Sequence, residues 1–113
     1  MSVCRGCCCG APRKHPDTDH DHHLDLLREL LGRQARIRVT DCLGYCAASN
    51  VITVAPSGAG RQRGGRTTWF GFVLGEQVIT ELAEWVLAGG PGIATVPDTL
   101  ELHVVRPPRR ATA

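Results

Sequence analysis

The placement of six cysteines constrains this chain more than any other feature. Cys4, Cys7, Cys8 and Cys9 crowd the N-terminus, and Cys42 and Cys46 follow more than thirty residues later. If both groups serve one centre, the fold must return the chain to its starting edge after an intervening helix. The compartment bears on what such a centre is. No basic start followed by an apolar run marks a secretory signal, and the longest nearly uncharged apolar stretch, around 69–75, is too short for a bilayer. The expectation is a cytoplasmic protein without a membrane association. In a reducing compartment, clustered thiols bind metal or do redox chemistry more often than they form structural disulfides.

The chain has 113 residues, 42% hydrophobic and 21% charged, which suits one soluble domain with a modest core. Residues 1–106 are expected to form the domain and 107–113 a flexible basic tail. A formal charge of +2 is too small to indicate nucleic acid. The arginines are scattered as Arg36 and Arg38, Arg61 and Arg63, Arg109 and Arg110, and no basic, aromatic-rich stripe exists on which bases could stack.

After a Gly/Pro/basic loop over 10–16, Asp17, Thr18 or Asp19 can cap a helix carrying Leu24, Leu27 and Leu31, with Leu30 beside them and Gly32 as stop signal. Residues 35–40 alternate, Ala35, Ile37 and Val39 against Arg36, Arg38 and Thr40, the period of a strand with one wet face. A tight "LGYCAASN" loop precedes a strand at 51–55. A long Gly/Arg loop then leads to an antiparallel strand within "TTWFGFV". "EQVITELAEWVLAGG" predicts an amphipathic helix with Val78, Leu82, Trp85 and Val86 inward, ended by Gly89 and Gly90. One more short strand is expected at 100–105, before two prolines. The order (β)–α–β–β–β–α–(β) implies an α/β fold, an open mixed sheet with two main helices packed on it. No GxGxxG, P-loop, Ser/His/Asp signature, general acid–base pair or open metal position is present, so the chain reads as non-enzymatic.

Two cysteine pairs have loop spacings that let sulfurs turn toward a common point: Cys4 and Cys9 as C-x4-C, Cys42 and Cys46 as C-x3-C. In a βαβ unit the two parallel strands end at one edge of the sheet. Cys4 just past the first strand and Cys42 at the end of the second therefore bring four thiolates together. Gly6, Gly10 and Gly44 permit the close backbone approach that a compact metal–sulfur site favours. Either a 2Fe–2S cluster or a Cys4 zinc centre fits this pattern.

The C-x4-C pair, the downstream "CLGYC", the apolar strand "NVITVAP" and the aromatic "TWFGFV" before a final helix resemble the thioredoxin-like, Shethna-type 2Fe–2S ferredoxins, relatives of the small cluster-bearing subunit of respiratory complex I. The resemblance spans roughly residues 3–90. It implies a thioredoxin-like fold, a 2Fe–2S cluster held by Cys4, Cys9, Cys42 and Cys46, one-electron transfer to a redox partner protein or redox sensing, and often a homodimer. Only Met1 to Val3 precede Cys4 where the family has a full strand. Either the first strand is abbreviated or the strand at 100–105 helps cover the gap. "AASN" stands where a small residue and Pro are common, and Cys7 and Cys8 compete with Cys9, Cys8 being the alternative second ligand. Arg5, Arg13 and Lys14 are candidates for stabilising a reduced, more negative cluster.

His15, His20, His22 and His23 form a tract that can bind metal; a helix starting near Asp19 puts His20 and His23 three apart, able to share an ion. The simpler expectation is a polar first turn whose Asp17, Asp19 and Asp21 favour the helix N-terminus. His103 is expected to point outward from a strand. Two other functions share these cysteines: a zinc-stabilised protein-interaction module, and a thiol–disulfide redox protein, which lacks a C-x-x-C opening a helix.

Overall fold

A short polar side chain decides where the first helix begins. In the computed structural model, which describes residues 1–5, 18–40 and 48–106, the Asp19 carboxylate accepts the His22 backbone N–H at 3.0 Å and caps α1 (His20–Leu31). The helix stops at Gly32, whose φ of +52° suits a residue without a Cβ and whose N–H bonds the Arg28 carbonyl at 2.9 Å. Leu27 and Leu31, one turn apart, are fully buried.

The five strands are β1 (Ser2–Cys4), β2 (Arg38–Thr40), β3 (Ile52–Val54), β4 (Thr68–Phe70) and β5 (Val104–Val105). They form one open mixed sheet in the order β2-β1-β3-β4-β5. β1 and β2 are parallel, as a strand–helix–strand crossover requires, and the other pairings are antiparallel. The expected α/β architecture is present: an open mixed sheet, an abbreviated first strand and two long helices. β1 is an inner strand between β2 and β3, although it is three residues long. β5 joins the sheet beyond β4, on the far side from β1, and does not cover the gap.

Alternation along the strands separates two cores. Val3, Ile52 and Phe70 stand in register and are fully buried with Leu27, Leu31 and the inner face of α3 (Glu76–Leu87). Cys4 and Val51 form a smaller cluster with Ala48, against which Trp69 and Val105 pack. The Trp85 ring meets Phe70 edge-on at 5.5 Å, and its Nε1–H donates to the Ala94 carbonyl at 2.9 Å.

Four local expectations are corrected. α3 buries Ile79, Leu82, Ala83 and Trp85, while Val78 and Val86 flank that face half-buried. Only 38–40 of the predicted second strand pairs; Ala35 and Ile37 pack on the core before it, but Val39 is 45% exposed because β2 is an edge strand. The Gly/Arg loop holds a short helix, α2 (Gly58–Gln62), capped by the Ser57 hydroxyl accepting the Gly60 N–H at 3.1 Å. The predicted strand at 100–105 is reduced to β5 because 98–101 coil as α4 (Asp98–Glu101), which buries Leu100. The tail 107–113 lies outside the described residues.

Candidate metal centre at the sheet edge

Cys4 ends β1 and is 3% exposed. Its N–H donates to the Val51 carbonyl at 3.0 Å, and the next residue, Arg5, donates its backbone N–H to the Thr40 carbonyl at 2.9 Å. These bonds hold the ends of β1 and β2 side by side, with Cys4 opposite Thr40 in parallel register. Paired residues in a parallel ladder share a face of the sheet, so Thr40 stands beside Cys4. The Thr40 hydroxyl is buried and has no hydrogen-bond partner among the described residues. Ala48 belongs with Cys4 and Val51 to one buried cluster.

The residues that bound both cysteine-bearing segments therefore meet at one edge: Arg5 before 6–17, and Thr40 and Ala48 on either side of 41–47. Cys9, Cys42 and Cys46 lie outside the described residues, as do Cys7, Cys8, Gly6, Gly10, Gly44, His15, Arg13 and Lys14. Among the described residues no group of three metal-ligating side chains assembles.

The histidines of the first turn behave differently from a polar helix start. His20 and His23 are buried, at 7% and 4% exposure. The reason is their spacing: with Leu27 and Leu31 they occupy positions i, i+3, i+7 and i+11, so the inward stripe of α1 begins with two imidazoles. The Asn50 side-chain amide, itself fully buried, donates to His20 Nδ1 at 2.8 Å, which puts the ring proton on Nε2. His23 Nδ1 is buried with no partner among the described residues. Burial pushes its pKa below the ordinary histidine value; Arg5, His22 and His20 act in the same direction and Glu76 opposes them. Only His22 remains exposed, and its Nε2 pairs with the Glu76 carboxylate across the start of α3. His103 also departs from expectation. It precedes β5, is half-buried, and its Nδ1–H donates to the Gly71 carbonyl at 3.1 Å.

Arg5 fastens this edge to the helix. Its guanidinium donates to the Cys4 carbonyl at 2.9 Å and to the His20 carbonyl at 3.4 Å. The His22–Glu76 pair shows that the N-termini of α1 and α3 lie at this same edge, where the positive ends of both helix dipoles favour negative charge. The loop after β4 closes it: the Phe72 and Val73 N–H groups donate to the Ala48 and Asn50 carbonyls at 2.7 and 3.0 Å, with Phe72 at φ +56° and 52% exposed.

Thr40 and Asn50 were invisible as site residues in the sequence, since neither carries a motif. The burial of His20 and His23 did have a signal, in their register with the leucine stripe. No family model, curated protein or solved structure matches the chain.

Proposed function

We propose that this protein binds a 2Fe–2S cluster and works as a one-electron carrier or redox sensor, with Cys4, Cys9, Cys42 and Cys46 as ligands and Cys8 as the alternative to Cys9. The observation that carries the reading is the parallel register of Cys4 with Thr40, with Ala48 in the same buried cluster as Cys4. It gathers the residues bounding both cysteine-bearing segments at one sheet edge. Three further features fit a cluster there. Cys4 is buried, a hydroxyl without a partner among the described residues lies beside it, and two helix N-termini face the same edge. When bound, the cluster supplies reversible one-electron oxidation and reduction.

The protein's own residues then have definite tasks. Cys4 offers a thiolate from a strand end that cannot shift without breaking the Cys4–Val51 and Arg5–Thr40 bonds. Arg5 places a positive charge on the Cys4 carbonyl and so favours added negative charge at this edge. The apolar packing of Ala48, Val51 and Trp69 limits water access to the sulfur, and water access and local charge are levers on a cluster's potential. A redox partner protein and a homodimer belong to the same proposal. No helix among the described residues is long and apolar enough to cross a membrane.

The test is anaerobic purification with iron, sulfide and zinc assays and a visible spectrum. The reading expects a red-brown protein with about two iron and two sulfide per chain, bleached by Cys4→Ser. One zinc per colourless chain, which is the interaction-module outcome, overturns it. If Cys8→Ser bleaches the protein while Cys9→Ser does not, the second ligand is Cys8.

A further inference from the structure

At the opposite end of the strands from Cys4, the start of β4 and the end of β5 open onto a cleft of about 370 Å³. Its apolar lining comes from Trp69, Trp85, Ala94 and Val96, and Arg66 and Arg106 stand at its polar side. Among the described residues no Asp or Glu lines it. The ion pairs formed among the described residues engage His22 and Arg28, leaving the guanidiniums of Arg66 and Arg106 without a carboxylate among those residues.

One wall of the cleft is built to hold its shape. The 64–66 turn rests on 91–92 backbone to backbone: a Cβ added to Gly65 would lie 2.6 Å from the Pro91 carbonyl oxygen and 2.8 Å from Gly92 Cα. A Cβ added to Gly92 would lie 2.3 Å from the Gly60 oxygen. The Gly65 N–H also donates to the Gly60 carbonyl at 2.8 Å. The floor is fixed by Trp85, whose ring is held by Phe70 on one side and by its bond to Ala94. A preformed, largely apolar cavity with a few converging polar groups is the usual form of a small-molecule site, and this volume falls within the usual range.

We propose that the cleft binds a small aromatic carboxylate, with the ring system on the apolar lining and the carboxylate against Arg66 and Arg106. Aromatic rings suit indole-lined surfaces, and a guanidinium fork matches a carboxylate in both charge and geometry. The inference shares Trp69 with the packing around Cys4, but it uses no cysteine and does not depend on a bound cluster.

The experiment is calorimetric titration of the full-length protein with 2-naphthoate, and with 2-naphthamide as the uncharged probe of the same ring system. Saturable 1:1 binding with a dissociation constant below about 1 mM is expected for the carboxylate. Binding should weaken about tenfold or more for the amide and in the double variant Arg66→Gln/Arg106→Gln, and should weaken as salt is raised. Both arginines are exposed, so the variant should retain the wild-type circular dichroism. Amide NMR shifts from the carboxylate should concentrate at Thr67, Thr68, Ala94 and Val105. Absence of saturation up to about 5 mM, equal affinity for the amide, an unaffected arginine variant, or shifts confined to another surface overturns the proposal.

Discussion

His23 is 4% exposed and sits on the α1 face that carries Leu27 and Leu31. Burial, then Arg5, hold its pKa below the 6.5 of a free imidazole, with Glu76 opposing and the neighbouring histidines adding to the depression. In the unfolded chain the ring titrates at its ordinary value. Between the folded pKa and 6.5 the unfolded state therefore binds the extra proton, and stability rises with pH across that window. Acidification below 6.5 removes it. One proton limits the slope to about 1.36 kcal/mol per pH unit, so the loss between pH 6.5 and 5.5 is at most about 1 kcal/mol. The assay is urea unfolding at pH 7.5, 6.5 and 5.5 for the wild type and His23→Leu, matched for metal content. Leucine keeps the position apolar beside Leu27 and removes the proton site. Contributions from groups that do not act on His23 are common to both proteins and cancel in the difference, while its coupling to Glu76, His22 and His20 is counted with His23. That difference should move in favour of the variant, by at most about 1 kcal/mol between pH 6.5 and 5.5, and change little above 7. If the two proteins lose stability in parallel on acidification, His23 is not the group that resists protonation and the argument from its burial fails.

Leu27→Ala, at a fully buried position between helix and sheet, should cost about 2–5 kcal/mol in denaturant unfolding. Gly92→Ala combines a φ of +84° with a Cβ 2.3 Å from the Gly60 oxygen, so a loss of more than about 1–2 kcal/mol is expected. Gly58→Ala, in open space at the start of α2, should be neutral or slightly stabilising in the same assay. Asn50→Ala removes the donor to His20 Nδ1 inside the protein and should destabilise by about 1–3 kcal/mol; His20→Leu in the same background should recover part of that loss, because it removes the stranded acceptor.

Much of the fold was legible because it rests on local rules. A cap among Asp17, Thr18 and Asp19, Gly32 as stop and the Leu27–Leu31 stripe are matters of neighbours a few residues apart, and the sequence displays them directly; the fold selects Asp19. The β-branched β3 and the aromatic β4 were equally plain. The misread pieces were those whose state depends on distant partners. Val39 alternates as an inward residue should, but nothing in 35–40 says that its strand will lie at the sheet edge. Leu100 reads as strand by composition, yet it is buried from a helical turn.

The candidate site divides along the same line. Sequence alone determined that six thiols are grouped at two places separated by a helix, because spacing is a property of the chain. Tertiary structure decided what surrounds the one described thiol: Thr40 comes beside Cys4 through parallel register, Asn50 reaches His20 across thirty positions, and Arg5 ties the strand end to α1. Such contacts carry no local signature, since hydrogen bonding and burial act between surfaces that only the folded sheet brings together. The histidines show the boundary most clearly. Read as a tract they are polar residues at a helix start, but packing α1 on the sheet turns the spacing of His20 and His23 into burial and leaves His22 the exposed one of the three histidines described there.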